Sequence, residues 1–257
     1  MRTSRQIWPL VVQLCFACLL LSLNFNISAD EAHKEVHWSY EGATGPAHWG
    51  EFFPECGQGK SQSPVDIRGP FATTSDSISV NYKPSVLKMI NNGHTIQINY
   101  DAGSSITVHN QKYDLVQFHF HKPSEEQIDD HPKAMVIHFV HKSAEGKLAV
   151  IGVLVNEGKA NELIQTLWSN LPKKVGEEKT VQTVSLDASK LFPPNLSFYH
   201  FSGSLTTPPC TEGVDFYILK NPIEMSKEQI AAFPFRTNAR PVQPLNGRQI
   251  DESTAKQ

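Results

Sequence analysis

A chain of 257 residues, 39% of them hydrophobic, is long enough to bury one large core, and nothing in its composition calls for a second one. Its 23 Lys and Arg against 26 Asp and Glu leave a net charge of −3, so no basic face advertises nucleic acid or an anionic membrane as a partner. A small neutral or anionic substrate fits that balance.

The N-terminus reads as a targeting segment. Arg2 and Arg5 form a positive start, residues 7–23 an apolar run, and Ile27-Ser28-Ala29 a small-residue cleavage signal. Removal of residues 1–29 would leave a domain over residues 30–257, exported to the periplasm or secreted, with no stable membrane span. The loss of Arg2 and Arg5 would take its charge from −3 to −5. The competing reading is a membrane anchor, or a lipid on Cys18, but Pro9 and Gln13 interrupt the run and the residues before Cys18 match a lipid-attachment box poorly. Cys15 and Cys18 leave with the signal, so the mature chain keeps Cys56 and Cys210. One pair in an exported protein implies one disulfide, the alternative being two separate buried thiols.

Residues 30–60, rich in Trp, Gly and His, read as an irregular arm. Strand candidates then follow over residues 77–82, 86–90, 95–100, 105–109, 113–121, 134–141 and 148–155. Asn161 caps a helix running through Leu163, Leu167 and Trp168. Ser226-Lys227-Glu228-Gln229 forms a capping box that opens a second helix into Ala232. The polar tail after Ile250 is expected to fray. The fold class is therefore mixed α/β dominated by β: a single domain on a large twisted, mostly antiparallel sheet with short peripheral helices.

The run Gln117-Phe118-His119-Phe120-His121 carries the chemistry. Alternate side chains on a strand share a face, so His119 and His121 reach one ion together. If residues 134–141 pair beside them, His138 adds a third nitrogen while His141 faces away. Three neutral imidazoles with an open fourth position describe a catalytic zinc site rather than a structural one. The plain alternative is chance alternation on a solvated strand face.

Several further segments carry a resemblance. Trp38-Ser39-Tyr40-Glu41-Gly42, Gln62-Ser63-Pro64-Val65-Asp66-Ile67, Asn91-Asn92-Gly93-His94, Ser124-Glu125, His138-Phe139-Val140-His141, Gly203-Ser204-Leu205-Thr206-Thr207-Pro208-Pro209 and Arg240-Pro241-Val242-Gln243-Pro244-Leu245 stand here in the order found in the alpha-class carbonic anhydrases. From Trp38 to Ile250 the chain resembles that class, and the Cys56 and Cys210 positions are similar to the disulfide of its exported bacterial members.

The resemblance implies a zinc enzyme that reversibly hydrates carbon dioxide to bicarbonate and a proton through zinc-bound hydroxide, with His119, His121 and His138 as metal ligands. It implies that Thr206 and Glu125 orient the hydroxide, that Val140, Val150, Leu205, Thr207 and Phe216 receive substrate, and that His94 relays the proton. Tyr40, Asn92 and Gln97 would line the water path between His94 and the metal. Phe216 stands where the class usually has Trp. Gln117 would accept from His119, and a backbone carbonyl from His121. The oligomeric state, a homodimer included, is left open.

One departure concerns His138. The class places Glu two residues before it, where this chain has Val136, which accepts nothing; loss of such a partner typically costs about 10- to 100-fold in metal affinity or activity. Glu126 likewise replaces a His common in the class, so a nearby hydrogen bond must be rearranged. Val136 alone favours the rival reading, a non-catalytic carbonic-anhydrase-like binding or storage protein. The retained histidines, with Thr206, Glu125 and His94, favour the enzyme.

Overall fold

The computed structural model of the chain describes residues 37–254. Residues 1–29, read above as a targeting segment, lie outside the described residues, and Cys15 and Cys18 with them. Among those described, no helix is long and apolar enough to cross a membrane.

Among the described residues fifteen strands run, in chain order, as β1 (Asp66–Ile67), β2 (Ala72–Thr74), β3 (Ser79–Asn81), β4 (Ser85–Asn91), β5 (Ile96–Asn99), β6 (Ser105–Val108), β7 (Gln111–His121) and β8 (Gln127–Ile128). They continue as β9 (His131–Pro132), β10 (Met135–Lys142), β11 (Leu148–Glu157), β12 (Glu178–Leu186), β13 (Phe198–Ser204), β14 (Glu212–Met225) and β15 (Asp251–Ser253). Twelve of them form one sheet whose main path is β12-β4-β5-β7-β10-β11-β14-β13-β15-β2, and β1, β8 and β9 form a small second sheet. Pairing in the large sheet is antiparallel except for β11 with β14 and β15 with β2, in line with the expected class.

Period-two alternation decides which face each residue takes. On β7, Phe118 and Phe120 enter the larger apolar cluster, and on β10 so do Met135, Ile137 and Phe139. The intervening β10 residues Val136 and Val140 pack in a smaller cluster with Val150, Leu154, Phe216 and Ile218. The histidines share that second face. His141, of opposite parity to His138, is buried on the other side, its Nε2 2.6 Å from the Tyr82 hydroxyl. Each fully buried Phe of these clusters contributes on the order of 1.5–3 kcal/mol relative to exposure.

Both expected helices form. Asn161 Oδ1 accepts from the amides of Leu163 and Ile164 at the head of α3 (Glu162–Trp168), numbered after the two short N-terminal helices α1 (Trp49–Phe52) and α2 (Pro54–Gln58). Ser226 and Gln229 close a capping box on α4 (Lys227–Ala232). Trp168 Nε1 donates to the Gln229 carbonyl at 2.8 Å and ties the two helices together.

Three expectations need correction. The N-terminal arm is not wholly irregular: α1 and α2 fold within it, and Trp49 is fully buried against Trp38, Tyr40 and the Cys56–Cys210 bridge. Strands β1, β2, β8, β9 and β12 to β15 were absent from the expected set, although β14 lies inside the sheet between β11 and β13. The tail does not fray at Ile250, because residues 251–253 bridge β13 and β2 as β15. Backbone hydrogen bonds to waiting edges hold that tail irrespective of its polar side chains.

Candidate active site

The site is built where β7 and β10 lie side by side. His119 and His138 are direct cross-strand partners, and Val136 is opposite His121. Each of the three imidazoles is held by one nitrogen. His119 Nδ1 donates to Gln117 Oε1 at 2.8 Å, His121 Nδ1 to the Asn238 carbonyl at 2.8 Å, and His138 Nε2 to Glu126 Oε2 at 3.0 Å. These partners only accept, so they assign the proton to the bound nitrogen and leave the other as a free lone pair.

The three free nitrogens converge. Among the described residues His119, His121 and His138 form the one cluster able to hold an ion, with ligand atoms within 4.8 Å of one another. His121 Nε2 is buried and has no hydrogen-bond partner among those residues. Burial first, and the neighbouring imidazole of His138 second, lower His119 to about 3 and keep His121 well below its ordinary value. Both are neutral at pH 7, as metal ligation requires. Burial would lower His138 too, but the charge and hydrogen bond of Glu126 and the charge of Glu125 outweigh it and leave His138 raised, so it gives up a proton when a cation binds. Convergent nitrogens, each imidazole oriented from behind, fit a tetrahedral zinc with one position left for water.

The acceptor for His138 corrects the reading of Val136. His138 is not left without a fixed partner: Glu126, fully buried in the segment after β7, supplies the carboxylate that position 136 lacks. The signal in the sequence was the pair of departures itself, an acid gained at 126 and an acid missing at 136.

Glu125 lies beneath the histidines. Its Oε1 accepts from the Arg240 amide at 2.8 Å, while Oε2 lies 3.4 Å from His121 Nε2 and 3.8 Å from His138 Nδ1. Burial pushes its carboxyl up to about 8, against the opposing pull of His138, and the adjacent Glu126 raises it further; the Arg240 amide and the Thr206 hydroxyl favour the charged form. A divalent cation beside Oε2 would add strongly to that second tendency.

Thr206 sits in the loop between β13 and β14. Ser63 and Ser204 exchange hydrogen bonds at 2.9 and 3.1 Å at one end of this loop. At the other, Cys210 is bonded to Cys56, and its carbonyl accepts from Gln62 Nε2 at 3.0 Å. Gly203 is required in this junction, since a Cβ there would lie 2.0 Å from Ser63 Oγ and 3.1 Å from Phe216.

These residues open onto a cavity of about 190 Å³. Its apolar wall comprises Val140, Val150, Leu205, Val214 and Phe216, and Thr206 and Thr207 sit beside it. Phe216 meets His138 edge-on, ring centroids 5.9 Å apart, and stacks at 5.3 Å on Phe201. Tyr40, Asn92, Gln97 and Gln117 line the polar side towards His94. Of the expected site residues, all but Glu125, Cys56 and Cys210 line this cavity. Sequence reasoning missed Val214, the stacking of His94 on Trp38, the Asn238 carbonyl as the particular partner of His121, and Arg240. The Arg240 guanidinium holds Gln62, Ser63 and Cys56 through bonds of 2.7–2.9 Å.

Fold and site together define a β-sheet enzyme of the three-histidine type. The family model for eukaryotic-type carbonic anhydrase matches residues 44–254. A carbonic anhydrase of Pectobacterium carotovorum is 43% identical over 239 residues, covering 90% of this chain and 96% of that one. One from Nostoc sp. is 42% identical over 86% of this chain and 87% of its own length. Among solved structures, a hyperthermostable carbonic anhydrase from a hydrothermal vent chimney superposes with a TM-score of 0.80 at 44% identity, covering 84% of this chain and all of that one. The alpha-carbonic anhydrase of Thermovibrio ammonificans, solved with the inhibitor sulfanilamide, gives 0.77 at 38% identity over 84% of this chain and 98% of its own. The chain belongs to the eukaryotic-type, or alpha, carbonic anhydrase family and is a lyase.

Proposed function

We propose that the protein holds zinc through His119 Nε2, His121 Nε2 and His138 Nδ1 and uses it to interconvert carbon dioxide and bicarbonate. The observation that carries this reading is the convergence of three imidazole nitrogens whose opposite nitrogens are each tied to an acceptor. When bound, zinc supplies a water whose pKa falls from 15.7 to about 7, so a nucleophile is available at neutral pH.

The chain's own residues do the rest. Thr206 donates its hydroxyl proton to the Glu125 carboxylate, so its oxygen can only accept from the nucleophile, which is thereby aimed at the apolar wall. Val140, Val150, Leu205 and Phe216 exclude water from that wall and receive carbon dioxide, which is small and apolar. One carbon dioxide and one water become bicarbonate and a proton, and the proton must reach solvent. His94, at the cavity mouth, takes it through waters beside Tyr40, Asn92 and Gln97.

The non-catalytic alternative rested on Val136, and the Glu126 carboxylate 3.0 Å from His138 speaks against it. Metal content and carbon dioxide hydration rate measured on one purified sample test the proposal. One zinc per chain with hydration that follows the zinc supports it, and a chain that takes up no zinc overturns it.

We further propose that residues 1–29 are removed on export. The mature N-terminus should lie near Asp30, and an intact Met1 on exported protein would contradict this.

A further inference from the structure

We propose that Glu126 is the positioning residue for His138, and that Glu126 and Val136 form an interdependent pair in which a carboxylate at one position excludes a carboxylate at the other. The inference rests on the ligand assignment proposed above. In the class this chain resembles, the acceptor for the third histidine stands two residues earlier on the same strand. Here that position is Val136, fully buried among Val150, Leu154, Phe216 and Ile218. The carboxylate arrives instead from the segment after β7, with Oε2 3.0 Å from His138 Nε2.

The backbone around Glu126 is held from both sides. Ser124 Oγ donates to the Glu126 carbonyl at 2.7 Å and accepts from the Lys133 amide at 2.8 Å. The Ser124 amide donates to the Lys133 carbonyl at 3.1 Å, and the Gln127 amide to the Val65 carbonyl at 3.3 Å. Glu126 is thereby clamped to the approach to β10, where His138 sits. Its side chain has little freedom to serve another partner.

The burial of two adjacent carboxylates needs a reason. Glu125 and Glu126 are 1% and 0% exposed, and the loss of hydration on burying each ion stands uncompensated unless a partner offsets it. The His138 N–H is the partner of Glu126 Oε2, and Glu126 Oε1 has no hydrogen-bond partner among the described residues. A single N–H serves one carboxylate. Glu at position 136, reaching from the same strand face, would compete for it and add a third buried acid to the first two. The substitution that restores the usual pattern of the class is therefore harmful while Glu126 remains and beneficial once Glu126 is gone.

The test is a cycle of Glu126→Leu, Val136→Glu and the double variant, read by zinc release into excess chelator, by the visible spectrum of the cobalt-substituted protein and by melting of the metal-free protein. Glu126→Leu should release zinc about 10- to 100-fold faster. Val136→Glu alone should release it no more slowly than the parent, and the double variant should return to within about threefold of the parent. Additive effects, or unchanged release from Glu126→Leu that still binds one zinc, would overturn the pair. Should Glu126→Leu not fold, Glu126→Met, of similar length but at most a weak acceptor, decides: faster release with an altered cobalt spectrum and unchanged melting supports positioning, and unchanged release and spectrum refute it. The parent and His119→Ala are the controls. A parent that takes up no zinc overturns the ligand assignment and the pair with it, whereas a zinc-binding parent with an indifferent Glu126 overturns the pair alone.

Discussion

The imidazole of His94 lies flat against the indole of Trp38, ring centroids 3.7 Å apart and planes 11° from parallel. Burial lowers its pKa, and the charge of His37, whose ring lies 5.9 Å away, lowers it further. A histidine whose pKa is lowered gives up its proton to solvent more readily. Replacing His94 with Ala should reduce kcat in weak buffer by about tenfold or more while sparing kcat/KM, because proton export follows the chemical step. Added imidazole should restore the rate. In Trp38→Ala, NMR titration should find the His94 pKa moved up towards 6.5, and an unmoved value would show that the indole is not what desolvates it.

Removing a ligand should remove the metal. His119→Ala leaves two imidazoles, too few for a competent tetrahedral site, so zinc content and hydration should fall together. Metal analysis finding one zinc per chain with full activity would refute the ligand assignment.

The bridge between Cys56 and Cys210 closes a separation of 154 residues and is buried against Trp49. Loop-closure entropy sets an upper limit of about 5 kcal/mol on its contribution, which native strain and residual structure reduce. Reduction, or the Cys56→Ser/Cys210→Ser double variant, should lower the denaturant midpoint at unchanged zinc stoichiometry. Two free thiols in natively exported protein would remove the claim.

His200 on β13 provides a pH-dependent term away from the site. It lies 3.3 Å from Asp215 and 3.5 Å from Asp251, stacks on Tyr217 at 4.8 Å, and has the His109 ring 6.0 Å away. Burial lowers its pKa, but hydrogen bonds and charge from the two aspartates outweigh burial and leave it raised. A raised folded-state value stabilises most below the unfolded value near 6.5, and that stability is lost as pH rises through the folded value. Both aspartates are about one-third exposed, so the effect is on the scale of a screened pair, about 0.5–1 kcal/mol. Urea unfolding of His200→Gln should show a deficit at pH 5.5 that shrinks by pH 8.5, and a pH-independent deficit would assign the role to packing.

Much of the site was legible locally. The parity of residues 117–121 put His119 and His121 on one face, the odd offset from His138 turned His141 away, and the Asn161 and Ser226 caps placed α3 and α4. Each follows from backbone geometry within a few residues, which distant contacts do not alter. The later strands were harder to read. β12 alternates half-buried and exposed residues at a sheet edge, and β15 is polar, so neither carries the apolar pattern by which strands are recognised. Their pairing rests on backbone groups that every sequence possesses.

Position 136 marks the boundary most sharply. From the sequence, a strand histidine had lost its usual partner two residues away and an extra acid stood ten residues earlier, with no rule connecting them. The sequence by itself determined that three histidines could share an ion, because strand parity is a local property. Only the tertiary structure decided what holds each of them: Gln117 from the same strand, Asn238 from a distant loop, and Glu126 from a segment clamped beside β10. A hydrogen bond depends on where the chain returns in space, and that is settled by the packing of the whole sheet.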